Sequence, residues 1–128
     1  ILWTYGVNTG KISRQRLVDL YATTPAKING IAHRKGHIGV GFDADIVVYD
    51  PTPVSIISNE TSLQGVDFNI YEGLKQEGKV DKVFLRGQLA VEDGKYVGCL
   101  GQGTFIPGKP YGLCYEGFEK KGELESVL

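Results

Sequence analysis

Lys35-Gly36-His37-Ile38-Gly39-Val40-Gly41-Phe42-Asp43-Ala44-Asp45-Ile46-Val47-Val48-Tyr49-Asp50-Pro51 is the stretch whose reading decides the fold. Gly36, Gly39 and Gly41 punctuate a tight turn, because glycine accepts backbone angles that other residues resist. Ile46 to Tyr49 is an unbroken apolar, β-branched run, which suits a strand covered on both faces. Pro51 lacks an N–H and restricts Asp50, so the strand is expected to stop there.

Upstream, residues 1–32 read as helical. Ser13 is placed to cap a helix whose apolar positions Leu17, Val18, Leu20 and Tyr21 fall at helical spacing, with Arg14, Gln15 and Arg16 on the wet side. Thr24-Pro25 reads as a second start, an N-cap followed by proline, and Ala26 to Asn29 make a short helix closed by Gly30. His33, Arg34 and Lys35 form a basic connector into the glycine turn.

Downstream, Val54 to Ile57 is expected to be a short strand, and Ser58 to Gly73 a long surface loop. A loop of that length in a compact region is usually functional or lies at an interface. Val80 to Arg86 is strand-like, Gly87-Gln88 turns the chain, and Leu89 to Glu92 alternate. Asp93-Gly94 before Lys95-Tyr96-Val97 is a strong type I′ hairpin signal. Residues Ile106 to Tyr111 should be extended, and Tyr111, Tyr115 and Phe118 are spaced for one helix face that Gly112 and Gly117 weaken.

The bulk numbers narrow the class. The 128 residues amount to one domain or a piece of a larger protein. Fourteen Lys and Arg face 15 Asp and Glu, a net charge of −1, which gives no reason to expect nucleic acid or an anionic membrane as partner. No apolar run reaches the roughly 20 residues of a membrane span. Cys99 and Cys114 lack metal-site flanks and read as free thiols of a reducing, cytoplasmic compartment, and the sequon Asn59-Glu60-Thr61 as fortuitous. The chain starts Ile-Leu-Trp-Thr-Tyr and contains no Met, so a natural start is missing and two readings stand, a processed chain or the C-terminal portion of a longer enzyme.

Each chemistry-bearing pattern has a plainer explanation. His33 and His37 are four apart, a zinc-ligand spacing on a helix, but Gly36 interrupts any helix and Arg34 and Lys35 repel a cation. Gly39-x-Gly41-x-x-Ala44 matches a dinucleotide fingerprint in letters, yet a strand follows where a helix N-terminus is required. Asp43 and Asp45 are read as turn residues capping local backbone donors rather than an acid–base pair. No Ser or Cys sits in a nucleophile context.

Ordered blocks along the chain resemble one family. Gly6 to Ser13 through Ala22 to Gly30 resembles the final barrel helices of hydantoinases and dihydropyrimidinases, and Lys35 to Pro51 the exit from their barrel. Val66-Asp67-Phe68-Asn69-Ile70-Tyr71-Glu72-Gly73, Phe84 to Gly87, Asp93 to Val97 and Phe105-Ile106-Pro107-Gly108-Lys109-Pro110-Tyr111 are similar to the cyclic-amidase branch. The resemblance spans residues 1–115 and implies a mixed α and β fold: C-terminal barrel helices of a (β/α)₈ amidohydrolase, then part of its composite β-sandwich and an extended tail. The implied partition is 1–34 as helices on the barrel, 35–107 as sandwich strands and 108–128 as a C-terminal arm.

The same resemblance implies a parent enzyme with a binuclear zinc centre bridged by a carboxylated lysine, opening hydantoin or dihydropyrimidine rings by metal-activated hydroxide. The family's metal ligands and catalytic aspartate lie upstream of the matched region, so no catalytic, cofactor-binding or metal residue is assigned in this chain. The chain alone is expected to bind no metal, to be inactive and to self-associate through exposed apolar faces. Its implied partners are the rest of its own polypeptide and further copies in a dimer or tetramer joined by the arm. The non-catalytic collapsin-response-mediator scaffolds share the same blocks and are one alternative membership. An allantoinase or dihydroorotase type of amidohydrolase is another, although the discriminating blocks point to the cyclic-amidase branch rather than to dihydroorotases.

Overall fold

The computed structural model describes residues 1–109, which form a helical unit followed by a four-stranded antiparallel sheet. The helical unit opens with Leu2–Val7, wound widely as a π-helix, its end closed by the Asn8 N–H on the Trp3 carbonyl at 3.0 Å. Helix α1, Arg14–Val18, starts where expected, with the Ser13 hydroxyl accepting from the Arg16 N–H at 3.0 Å. The chain then widens over Asp19–Thr23 and passes without a break into α2, Thr24–Ile28.

That continuity corrects one expectation. Thr24 is already helical, and Thr23 before it caps nothing with its side chain. The Thr24 hydroxyl instead donates to Asp19 at 2.9 Å, a partner five residues back. Gly30 does close the helix, at φ +68°, with the Ile31 N–H on the Ala26 carbonyl at 2.9 Å.

The sheet runs in the order β1 (Ile46–Ile56), β2 (Lys75–Leu85), β3 (Gln88–Glu92) and β4 (Lys95–Tyr96). β1 does not end at Pro51, and the segment expected as a separate strand from Val54 is its continuation. Pairing lapses between Asp50↔Lys79 and Val54↔Glu77, so Pro51 and Pro53 occupy a bulge on an edge strand, where no ladder N–H is missed. Asp50 stabilises the bulge by accepting from the Thr52 N–H at 2.9 Å and its hydroxyl at 2.7 Å, which lowers the Asp50 carboxyl below its usual range.

Opposite the bulge, Gly78 sits at φ +78° inside β2. A Cβ there would lie 2.5 Å from the Tyr49 ring, so the absence of a side chain lets Tyr49 cross and donate to the Glu77 carbonyl at 2.9 Å. Burial under this crossing raises the Tyr49 hydroxyl. Trp3 packs against the same ring at a tilt of 50°, centroids 4.9 Å apart, and Tyr5 donates to the Lys75 carbonyl at 3.0 Å. These contacts dock the first helical segment on β2.

Both hairpins are two-residue turns. Asp93 and Gly94 stand at φ +48° and +76°, as the Asp-Gly signal predicts. The preceding turn is Arg86-Gly87, at φ +49° and +80°, one residue earlier than the Gly87-Gln88 expected. Only Ala26 and Ala90 are buried apolar residues among those described, and no large side chain is fully enclosed. The expectation that Ile46 to Tyr49 is covered on both faces fails in this chain: Val47 and Val48 are exposed.

Candidate functional site

Of the residues the sequence singles out, Asp43 and Asp45 meet where the connector between helices and sheet reaches the β2–β3 turn. The Thr23 hydroxyl donates to the Gly36 carbonyl at 2.9 Å, anchoring the start of the glycine turn on the helical unit. The Asp43 N–H returns to the Arg34 carbonyl at 3.0 Å, folding the turn back on itself. Across that fold two cations meet two carboxylates. Arg34 donates through Nη2 to both Asp43 oxygens, at 2.8 and 3.0 Å, and Lys35 pairs with Asp43 at 2.8 Å and also with Asp45.

The second Asp45 oxygen accepts the Arg86 backbone N–H at 2.8 Å, and the Gly87 N–H meets the Ala44 carbonyl at 2.9 Å. Asp43 and Asp45 therefore do not cap local donors, as expected for turn residues. Asp43 is held by two cationic side chains, and Asp45 by Lys35 and an amide 41 residues away. Arg86 was not singled out by sequence reasoning. The available signal was charge order: Arg34-Lys35 and Asp43-x-Asp45 are complementary across a glycine turn that brings them together.

The electrostatics follow from this geometry. Hydrogen bonds from Lys35 and then Arg34 hold the Asp43 carboxyl below its ordinary value of 3.8. Partial desolvation pulls the Lys35 ammonium down, but Asp43 and Asp45 outweigh it and leave it above 10.5. Both groups are thus fixed in their charged forms through the neutral range, which suits a structural clasp and not a proton shuttle.

The two histidines are not brought to this cluster as ligands. The His37 ring lies on Phe42 with centroids 3.7 Å apart, and His33 is exposed on the connector. After Gly41 the chain enters β1 directly, so no helix N-terminus faces the Gly39-x-Gly41 turn. Among the described residues no three of His, Cys, Asp and Glu gather to hold a metal ion. Cys99 is exposed and unpaired, whereas Cys114 and the aromatic row Tyr111, Tyr115 and Phe118 fall outside the described residues. No helix among the described residues is long and apolar enough to cross a membrane.

Comparison with known proteins identifies the lineage of this arrangement. Residues 6–91 match the model of the amidohydrolase family, which covers both the helical unit and the first strands. The chain belongs to the amidohydrolase family. Within it, the chain is 38% identical over its whole length to a dihydropyrimidinase of Dictyostelium discoideum and 41% identical over 88% of its length to a D-hydantoinase of Geobacillus stearothermophilus. The solved D-hydantoinase of Bacillus sp. AR9 superposes with a TM-score of 0.79, at 43% identity over 83% of this chain and 23% of that one. The chain spans 25% and 24% of the lengths of the first two relatives.

These relatives bear out the resemblance to the hydantoinase and dihydropyrimidinase branch. The mixed architecture, a few helices and an antiparallel sheet, matches the superposed part of the solved hydantoinase. A binuclear zinc centre of the kind an amidohydrolase implies does not fit the described residues. Asp43 and Asp45 are committed to Arg34 and Lys35, and His37 to Phe42. No step of a metal-assisted reaction is derived from them.

Proposed function

We propose that this chain is the non-catalytic C-terminal scaffold of an amidohydrolase that opens the rings of hydantoins or dihydropyrimidines by hydrolysing a cyclic amide bond. The observation that carries the reading is the match to dihydropyrimidinase along the full 128 residues at 38% identity. The ion-paired connector agrees with it, because its carboxylates serve as counter-charges. The metal ligands, the zinc they hold and the groups that act on substrate then belong to residues outside these 128.

In this reading residues 1–34 pack on the outside of a (β/α)₈ barrel. Residues 35–107 contribute strands to a β-sandwich completed by other parts of the polypeptide, and 108–128 form an arm that reaches a neighbouring subunit. The exposed apolar residues of β1, with Val47, Val54 and Ile56 each more than half accessible on an edge strand, support such a covering. The cytoplasm is the proposed compartment.

The test is ring opening by the full-length protein, offered hydantoin and dihydrouracil separately, beside the isolated 128 residues. Turnover by the full-length protein, with neither turnover nor bound zinc in the isolated chain, is the expected result. A full-length protein that opens neither ring and holds no metal would point to a scaffold of the collapsin-response-mediator type. Opening of allantoin or dihydroorotate alone would move the substrate to that branch.

A further inference from the structure

Residues 31–45 carry the chain from the helical unit to the sheet, and a second stretch spans the same gap in reverse. At the sheet end, the Arg86 guanidinium donates to the Thr104 hydroxyl at 2.9 Å and to the Gln102 carbonyl, while the Gln102 amide donates to Gln88 at 2.9 Å. Arg86 is the residue whose backbone N–H holds Asp45, so this anchor sits where the connector enters β1. At the other end, the Lys109 N–H donates to the Gly30 carbonyl at 2.7 Å, where the connector leaves the helix. Carbonyls at a helix C-terminus lack intrahelical partners, and here the returning chain supplies one.

The crossing at that end is built from two glycines. A Cβ on Gly30 would lie 1.8 Å from the Lys109 carbonyl oxygen, and one on Gly108 would lie 2.7 Å from the Asn29 carbonyl oxygen. Backbone meets backbone with no flexible side chain able to yield. Gly30 also needs its glycine for φ +68°, whereas Gly108 stands outside the left-handed region and is required for the close approach alone.

We propose that residues Gln102–Lys109 act as a detachable strap that clamps the helical unit onto the sheet, closed by the interlock of Gly108 with Asn29 and Gly30. The strap fixes the angle between the two units and the point from which the chain departs after Lys109. Exposed side-chain bonds hold one end and a single backbone bond the other, so it opens without unfolding the sheet.

Hydrogen exchange of the full-length protein tests this, comparing wild type with Gly108→Ala and Gly103→Ala. A Cβ on Gly103 meets nothing within 4 Å, which makes it the control within the same strap. The strap predicts exchange on the order of tenfold faster at Lys109 and over 29–35 in Gly108→Ala, unchanged β1–β3, and wild-type behaviour in Gly103→Ala. Wild-type protection in Gly108→Ala, equal loosening by Gly103→Ala, or loss of protection spreading through β1–β3 would each overturn the proposal.

Discussion

The connector of residues 31–45 and the loop between β1 and β2 are both long, glycine-bearing links, and they are stabilised in opposite ways. The connector folds around its own charges, with Arg34 and Lys35 against Asp43 and Asp45, and is tied at its ends to Thr23 and Arg86. The loop is closed only at its base, where the Gly73 N–H meets the Ile57 carbonyl at 2.9 Å and Glu72 accepts from the Asn59 N–H at 2.6 Å. Beyond that base it holds Leu63, Phe68 and Ile70 in solvent, at 94%, 62% and 77% accessibility. One link carries its partners in its own sequence. The other presents an apolar surface that its own residues leave uncovered.

The sharpest way to break this comparison is to place the same substitution in each link. Gly36 stands at φ +100° with Ala26 2.7 Å from any added Cβ, and Gly73 at φ +78° facing open space. Gly36→Ala should cost about 2–4 kcal/mol of local stability, strain and overpacking together, and Gly73→Ala about 1 kcal/mol from strain alone. Hydrogen exchange of the two links in the full-length protein checks the ordering, and equal effects would remove the distinction.

A smaller difference is expected for the aspartates. Asp45→Ala removes the acceptor of the Arg86 N–H and one partner of Lys35, at a cost of about 1 kcal/mol after allowance for its partial exposure. Asp67→Ala, on the exposed loop, should stay within about 0.5 kcal/mol of wild type. The smallest effect is the response to acid. The folded Asp43 value is depressed, so its contribution is present above 3.8 and is lost as pH falls through the lower folded value. The Lys35 value is raised, so its contribution is full below 10.5 and is lost only as pH rises through the higher folded value. Carboxyl-carbon NMR should give Asp43 a midpoint below 3.8, and a midpoint at or above it would remove the ion-pair account of the connector.

What the sequence makes legible is local. Ser13 reaches an amide three residues on, Gly30 sets its own φ, and Asp93-Gly94 specifies a turn with two residues, so each reads correctly from its neighbours. The errors arise where a distant partner decides. Pro51 ends a strand by local rules, yet β1 is an edge strand and β2 supplies Gly78 opposite the bulge, so the ladder resumes at Val54. Thr24 looks like a cap until the preceding turn proves helical. Asp43 and Asp45 look like turn formers because their partners lie outside the turn's own few residues: Arg34 and Lys35 come before it, and the Arg86 N–H that holds Asp45 lies 41 residues beyond. The family resemblance succeeds for a related reason: ordered blocks carry the long-range arrangement that single residues do not.

The central claim is that this chain scaffolds an amidohydrolase whose metal chemistry belongs to other residues. Metal stoichiometry of the full-length protein, wild type against a double His33→Gln, His37→Gln variant, tests it most directly. The account predicts the same bound zinc and the same ring-opening rate in both proteins. Loss of zinc from the double variant would contradict it, by making the connector histidines ligands.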